Sequence, residues 1–141
     1  MKKRGARLGQ HFLANTMYAS KLAQAVRIGA GDTVVEIGPG KGALTNALLA
    51  TGARVIAIEK DEALVEVLRG KFPEEISEKQ LELIEGDVRD FEAPAQAYAV
   101  AANIPYYITG EIIRQFLTAQ NQPQRTALLV QKEVAERIVA K

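Results

Sequence analysis

Apolar and polar positions change period several times along the chain, and each change marks an element. From Asn15 or Thr16, either able to cap a helix, Met17, Leu22, Ala25, Val26 and Ile28 recur at helical spacing until Gly29 closes the segment. Thr33 to Ile37 is short, β-branched and almost continuously apolar, which predicts a strand buried on both faces. Gly38 to Gly42 interrupts it. Ala43 to Leu49 then reads as a helix ending near Gly52, and Arg54 to Ile58 as a second buried strand. Asp61 caps a helix from Glu62 to Phe72, Pro73 stops it, and Leu81 to Ile84 forms a third strand ending at Gly86 and Asp87. Ala97 to Ala102 is a fourth strand. The spacing of Ile112, Ile113, Phe116 and Leu117 predicts a helix over Gly110 to Leu117, followed by a fifth strand from Thr126 to Val130 and a last helix from Glu133 to Val139.

Strands and helices that alternate with short linkers predict right-handed crossovers and an open parallel sheet covered on both faces, a three-layer α/β/α domain. Ligands of such sheets bind beyond the carboxyl ends of the strands, near the point where strand order reverses. Ahead of the first helix, residues 1–14 carry Lys2, Lys3, Arg4 and Arg7 with no acid, so the chain divides into a basic arm and one domain over 15–141.

Composition narrows the function classes. The 141 residues are 48% hydrophobic and 25% charged, as in one globular domain rather than a disordered chain. Eighteen Lys plus Arg against seventeen Asp plus Glu give a net charge of +1, so any basic surface for nucleic acid must be local. The absence of Cys excludes disulfides, thiolate metal sites and a catalytic cysteine, and a single His excludes a multi-histidine metal centre. No apolar run approaches the roughly 18 to 20 residues of a membrane span, and no signal segment follows the basic start. A cytoplasmic protein is expected, without metal or membrane.

Chemistry concentrates at the expected strand ends. Gly38-Pro39-Gly40-Lys41-Gly42 follows strand one, where absent Cβ atoms let backbone approach a ligand. Its spacing satisfies the dinucleotide fingerprint through Ala43, with Glu59 as the acid about 20 residues on. Charge separates the two candidate ligands. NAD brings two phosphates, whereas S-adenosylmethionine brings a sulfonium, an α-amino group and no phosphate. Glu36, Glu59 and Asp87, on three successive strand ends, favour the cationic ligand, with Glu59 accepting the ribose hydroxyls and Asp87 the adenine amino group.

Asn103-Ile104-Pro105-Tyr106 follows strand four. An exocyclic adenine amine is a poor nucleophile because its lone pair is delocalised into the ring. The Asn103 side-chain oxygen and a backbone carbonyl can accept both of its N–H bonds. Pro105 stiffens the turn and removes a competing donor, and Tyr106 offers a face for a flipped base. No general base is required. Rate comes from holding nitrogen, methyl and sulfur in line.

Taken in order, Gly9-Gln10-His11-Phe12-Leu13, Glu36 to Gly42 with Leu44-Thr45, Ile58-Glu59-x-Asp61, Gly86-Asp87, Asn103 to Tyr106 and Gln131-Lys132-Glu133-Val134-Ala135-x-Arg137 resemble the ribosomal RNA adenine N6,N6-dimethyltransferases. The resemblance implies a Rossmann-like methyltransferase sheet of order 3-2-1-4-5, S-adenosylmethionine as cofactor, and small-subunit rRNA or an assembling small subunit as substrate of a monomeric enzyme. It implies that His11 and Leu13 close over the cofactor from the arm. Gly38 supports its methionine part, with Glu36 and Gly40 in the same loop; Glu59 takes the ribose, Asp87 the adenine, and Asn103 stands beside the transferred methyl. Tyr106 is assigned to the target base.

The erythromycin-resistance methyltransferases, which modify large-subunit rRNA, share these motifs. The family continues past the position of Lys141 with further strands and a small helical domain, so an N-terminal fragment or shortened form is expected. An NAD-dependent oxidoreductase and a non-catalytic RNA- or cofactor-binding module are the competing classes.

Overall fold

The apolar runs assemble into one parallel sheet. In the computed structural model, which describes residues 16–103 and 106–129, β1 (Thr33–Ile37), β2 (Arg54–Glu59), β3 (Leu81–Glu85), β4 (Ala99–Asn103) and β5 (Arg125–Leu129) take the order β3-β2-β1-β4-β5. Every pairing is parallel, with Ile37 opposite both Ile58 and Ala102, Glu59 opposite Glu85, and Asn103 opposite Leu129. All five carboxyl ends therefore share one edge, and strand order reverses between β1 and β4.

Alternation along each strand divides the core in two. Val34, Val55, Ala57, Leu81, Ala99 and Ala101 face α1 (16–26), α2 (Ala43–Ala50) and α3 (Glu62–Lys71) through Leu22, Val26, Leu44, Leu48 and Leu68. On the opposite face Val35, Ile37, Ile56, Ile58, Val100 and Ala102 meet Ile112 and Phe116 of the helix Tyr106–Leu117. Removing a leucine such as the fully buried Leu48 from water contributes about 1.5–3 kcal/mol. Helices on both faces make the expected three layers, and among the described residues no helix is long and apolar enough to cross a membrane.

Element boundaries differ from the sequence pattern where local chemistry outweighs periodicity. Helix α1 stops at 26, before Gly29, because Arg27 takes the left-handed conformation (φ 55°) and its carbonyl accepts from the Arg125 guanidinium of β5. Asp61 caps α3 as expected, accepting from the Ala63 N–H at 2.9 Å. Pro73 does more than end that helix. It opens α4 (Pro73–Ser77), since the first helical position needs no N–H donor and suits a fixed φ. Helix α5 (Tyr106–Leu117) starts at Tyr106 rather than Gly110, because an exposed glycine costs a helix only about 1 kcal/mol. Strand β4 starts at Ala99, two residues late, as Tyr98 turns its hydroxyl to the Asn121 carbonyl at 2.7 Å. Strand β3 ends at Glu85, one residue past the expected Ile84, and β5 starts at Arg125, one before the expected Thr126, while Val130 lies outside the described residues. The arm over 1–14 and the helix over 133–139 lie outside the described residues.

Candidate cofactor crevice

The glycine loop owes its shape to three left-handed residues, the first of them Gly38 with φ 65°. Gly40 has φ 58° and Gly42 φ 96°, and a Cβ on Gly42 would stand 2.9 Å from Cε2 of Phe72 and 3.0 Å from Cδ2 of Leu68. Only glycine lets the loop lie this close to α3. So folded, it roofs a cavity of about 270 Å³ lined by Tyr18 and Leu22 of α1, Gly38 to Lys41, Ala43 and Leu44 of α2, Glu36, Lys71 and Asn103. Lys71 is anchored there by donating to the Lys41 carbonyl at 3.0 Å.

Glu36, Gly38, Gly40 and Asn103 thus come together in one space. Glu36 is fully buried, on the same sheet face as Val34, rather than the open strand-end acid its position in sequence suggested. Its Oε1 accepts from the Thr45 hydroxyl of α2 at 2.6 Å, and Oε2 has no hydrogen-bond partner among the described residues. Burial pushes this carboxyl up to about 8; the Thr45 hydrogen bond opposes the rise and the nearby negative charge of Glu59 adds to it.

Glu59 ends β2 and grips the loop. Its Oε1 accepts from the Gly40 N–H and its Oε2 from the Asp61 N–H, each at 3.0 Å. Asp87 follows β3 as the cap of a 3₁₀ turn, Val88–Asp90, and does not line the cavity. Arg89 covers both its carboxylate oxygens, at 2.6 to 3.1 Å, and Lys60 lies 3.7 Å away. The Arg89 hydrogen bonds hold the Asp87 carboxyl well below the usual carboxylate range. Tyr106 opens α5 by its backbone, while His11, Leu13 and Pro105 lie outside the described residues, as does the segment 131–137.

Thr45, Tyr18, Leu22 and Lys71 carry no cofactor role in the sequence pattern. A signal existed for Thr45: it is a polar residue between Leu44 and Leu48 on the buried face of α2, and its hydroxyl needs a partner there. Among the described residues, no group of three or more His, Cys, Asp or Glu could hold a metal ion.

The arrangement suits a ligand with cationic and hydroxyl groups and no phosphate. In a dinucleotide site the loop amides hold pyrophosphate. Here the Gly40 amide is already taken by a carboxylate, which would also repel a phosphate.

Known proteins share this fold and sequence. Ribosomal RNA small subunit methyltransferase A of Caulobacter vibrioides is 45% identical over 94% of this chain and 52% of its own length. The crystal structure of a dimethyladenosine transferase from Plasmodium falciparum superposes with TM-score 0.73 at 32% identity, covering 88% of this chain and 44% of that one. The 23S rRNA methyltransferase ErmE also gives 0.73, at 28% identity over 85% of this chain and 48% of its own. The chain spans about half the length of the curated relatives it matches. With the family model for ribosomal RNA adenine dimethylase matching residues 1–141, from the glycine loop through Asn103 and beyond, the chain belongs to the ribosomal RNA adenine dimethylase family.

Proposed function

We propose that the protein transfers methyl groups from S-adenosylmethionine to the N6 amine of adenine in small-subunit ribosomal RNA. The observation that carries this is the Gly40–Glu59 hydrogen bond, which turns a dinucleotide-type loop into one that rejects phosphate, at the mouth of a cavity holding Glu36 and Asn103. Family membership supports adenine as the acceptor, and the names of the curated relatives support the small subunit.

When bound, S-adenosylmethionine supplies an electrophilic methyl on a positively charged sulfur. The chain's residues divide the remaining work. Glu59 keeps lone pairs free beyond its two backbone bonds and accepts the ribose hydroxyls. Asp87 accepts the cofactor's adenine amine, in competition with Arg89. The Gly38 backbone supports the methionine part, and His11 and Leu13 of the basic arm over 1–14 cover it. Asn103 and an adjoining carbonyl accept both N–H bonds of the target amine, turning its lone pair toward the methyl. Pro105 fixes that turn and Tyr106 stacks on the extruded base. The protein works in the cytoplasm as a monomer.

Two measurements test this reading. Calorimetric titration should register S-adenosylmethionine and not NAD. Labelled methyl should pass to adenine in small-subunit particles, with RNA binding that weakens steeply as salt rises. The likeness to ErmE favours a second reading, methylation of 23S rRNA, and presenting both RNAs side by side separates the two.

A further inference from the structure

We propose that Thr45 is a positioning residue, holding one oxygen of the Glu36 carboxyl so that the other receives the α-ammonium group of the bound cofactor, and that Glu36 gives up its proton as that ammonium arrives. The inference rests on the S-adenosylmethionine reading and adds a proton-coupled step to it.

Geometry carries the argument. Glu36 lines the cavity, is fully buried, and has Oε1 committed to the Thr45 hydroxyl at 2.6 Å while Oε2 lacks a partner among the described residues. A buried polar oxygen left unpaired is costly, so the missing partner belongs to whatever fills the cavity. That partner must donate a hydrogen bond. A sulfonium has no N–H or O–H, whereas an α-ammonium has three N–H donors. Thr45 leaves Glu36 little freedom to turn away, because its own hydroxyl is sealed between α2 and β1.

The charge balance follows from the neighbours. Around the cavity stand Tyr18 from α1, Lys41 from the loop, Lys71 from α3 and the neutral Asn103 from β4, while Glu59 from β2 lies behind the loop, outside the lining, accepting from the Gly40 N–H. Lys71 is turned to the Lys41 carbonyl, so neither oxygen of Glu36 has a cation bonded to it among the described residues. With no cation bonded to it among the described residues, burial and the negative charge of Glu59 keep Glu36 protonated near neutrality. An ammonium entering beside Oε2 reverses that preference: the O–H bond breaks, the proton leaves to buffer, and a carboxylate–ammonium pair remains.

The test is isothermal titration with S-adenosylhomocysteine, which keeps the α-ammonium and lacks the sulfonium, in buffers of different ionisation enthalpy. At pH 7 the ligand's amine is already an ammonium before it binds, so the difference between wild type and Glu36→Gln there counts the Glu36 proton. About one proton per ligand is expected at pH 7, shrinking toward none at pH 9, where Glu36 is already ionised. Thr45→Val should weaken binding roughly tenfold and move the fading of proton release to higher pH, because its hydroxyl favours the ionised carboxyl. Thr45→Ser should restore both, which a purely structural role would not require. Binding by wild type with no proton difference from Glu36→Gln at pH 7 overturns the proposal and leaves the cofactor reading standing. Failure of both S-adenosylmethionine and S-adenosylhomocysteine to bind overturns the cofactor reading, and the proposal with it.

Discussion

The Gly40 N–H donates to Oε1 of Glu59 at 3.0 Å, tying the loop after β1 to the acid that ends β2 across nineteen residues of sequence. The same carboxylate accepts the Asp61 N–H through its other oxygen, so it braces the loop and the entry to α3 together. Substituting Glu59 therefore removes a proposed ribose acceptor and a strut. Charge-assisted hydrogen bonds contribute about 1.5–3 kcal/mol each. Glu59→Ala should lower S-adenosylmethionine affinity by roughly 10- to 100-fold in calorimetry. Unchanged affinity would remove Glu59 from the cofactor site.

Asn103 separates binding from chemistry. It borders the cavity at the end of β4, and its proposed task is to orient the acceptor amine, not to hold the cofactor. Asn103→Ala should abolish methyl transfer to small-subunit RNA while leaving calorimetric S-adenosylmethionine affinity within about twofold. Normal transfer by this variant would show that the amine is aligned by something else.

Much of the fold is legible in the sequence because the informative residues are local. The strands announce themselves through continuous β-branched runs, and the order of breaks between them points to the parallel crossover pattern. Glu59 and Asn103 are legible because a residue ending a buried strand has one edge on which to emerge. The state of Glu36 is not. Whether the penultimate residue of β1 points to an open crevice or beneath α2 depends on sheet register, and its partner Thr45 comes from the next element. Likewise, the embrace of Asp87 by Arg89 depends on a 3₁₀ turn too short to leave a periodic signal. Helix ends depart from the pattern where Gly and Pro read as breakers, although Pro73 starts a helix and Gly110 lies within one.

Two of the loop glycines, Gly40 and Gly42, should respond differently to alanine. At Gly42 a methyl group meets Phe72 and Leu68 at 2.9 and 3.0 Å and the backbone stays at φ 96°. Strain and overpacking of about 1–3 kcal/mol each should then add. At Gly40, with φ 58°, no atom lies within 4 Å of the place a methyl group would take, so only the left-handed penalty of about 1–2 kcal/mol applies. Urea denaturation should find Gly42→Ala the less stable of the two. Equal midpoints would mean that Phe72 and Leu68 move aside freely.

Glu36 gives the fold a pH dependence with a defined window. Its carboxyl is raised in the folded protein from an ordinary 4.5 to about 8, chiefly by burial. Between those values the folded state holds a proton that the unfolded chain has released, so stability falls as pH rises through this interval. Below 4.5 the contribution is complete, and above 8 no further loss occurs. Asp87 acts elsewhere: Arg89 holds its carboxyl down, so its contribution is present above its ordinary 3.8 and lost only on acidification below that. The two effects do not overlap. Thermal denaturation should show a midpoint that declines from about pH 5 to about pH 8 and then levels. Glu36→Gln keeps an acceptor for Thr45 without an ionisable group and should flatten that decline. A wild-type midpoint that stays level across the window would mean that Glu36 is ionised and paired in the folded protein.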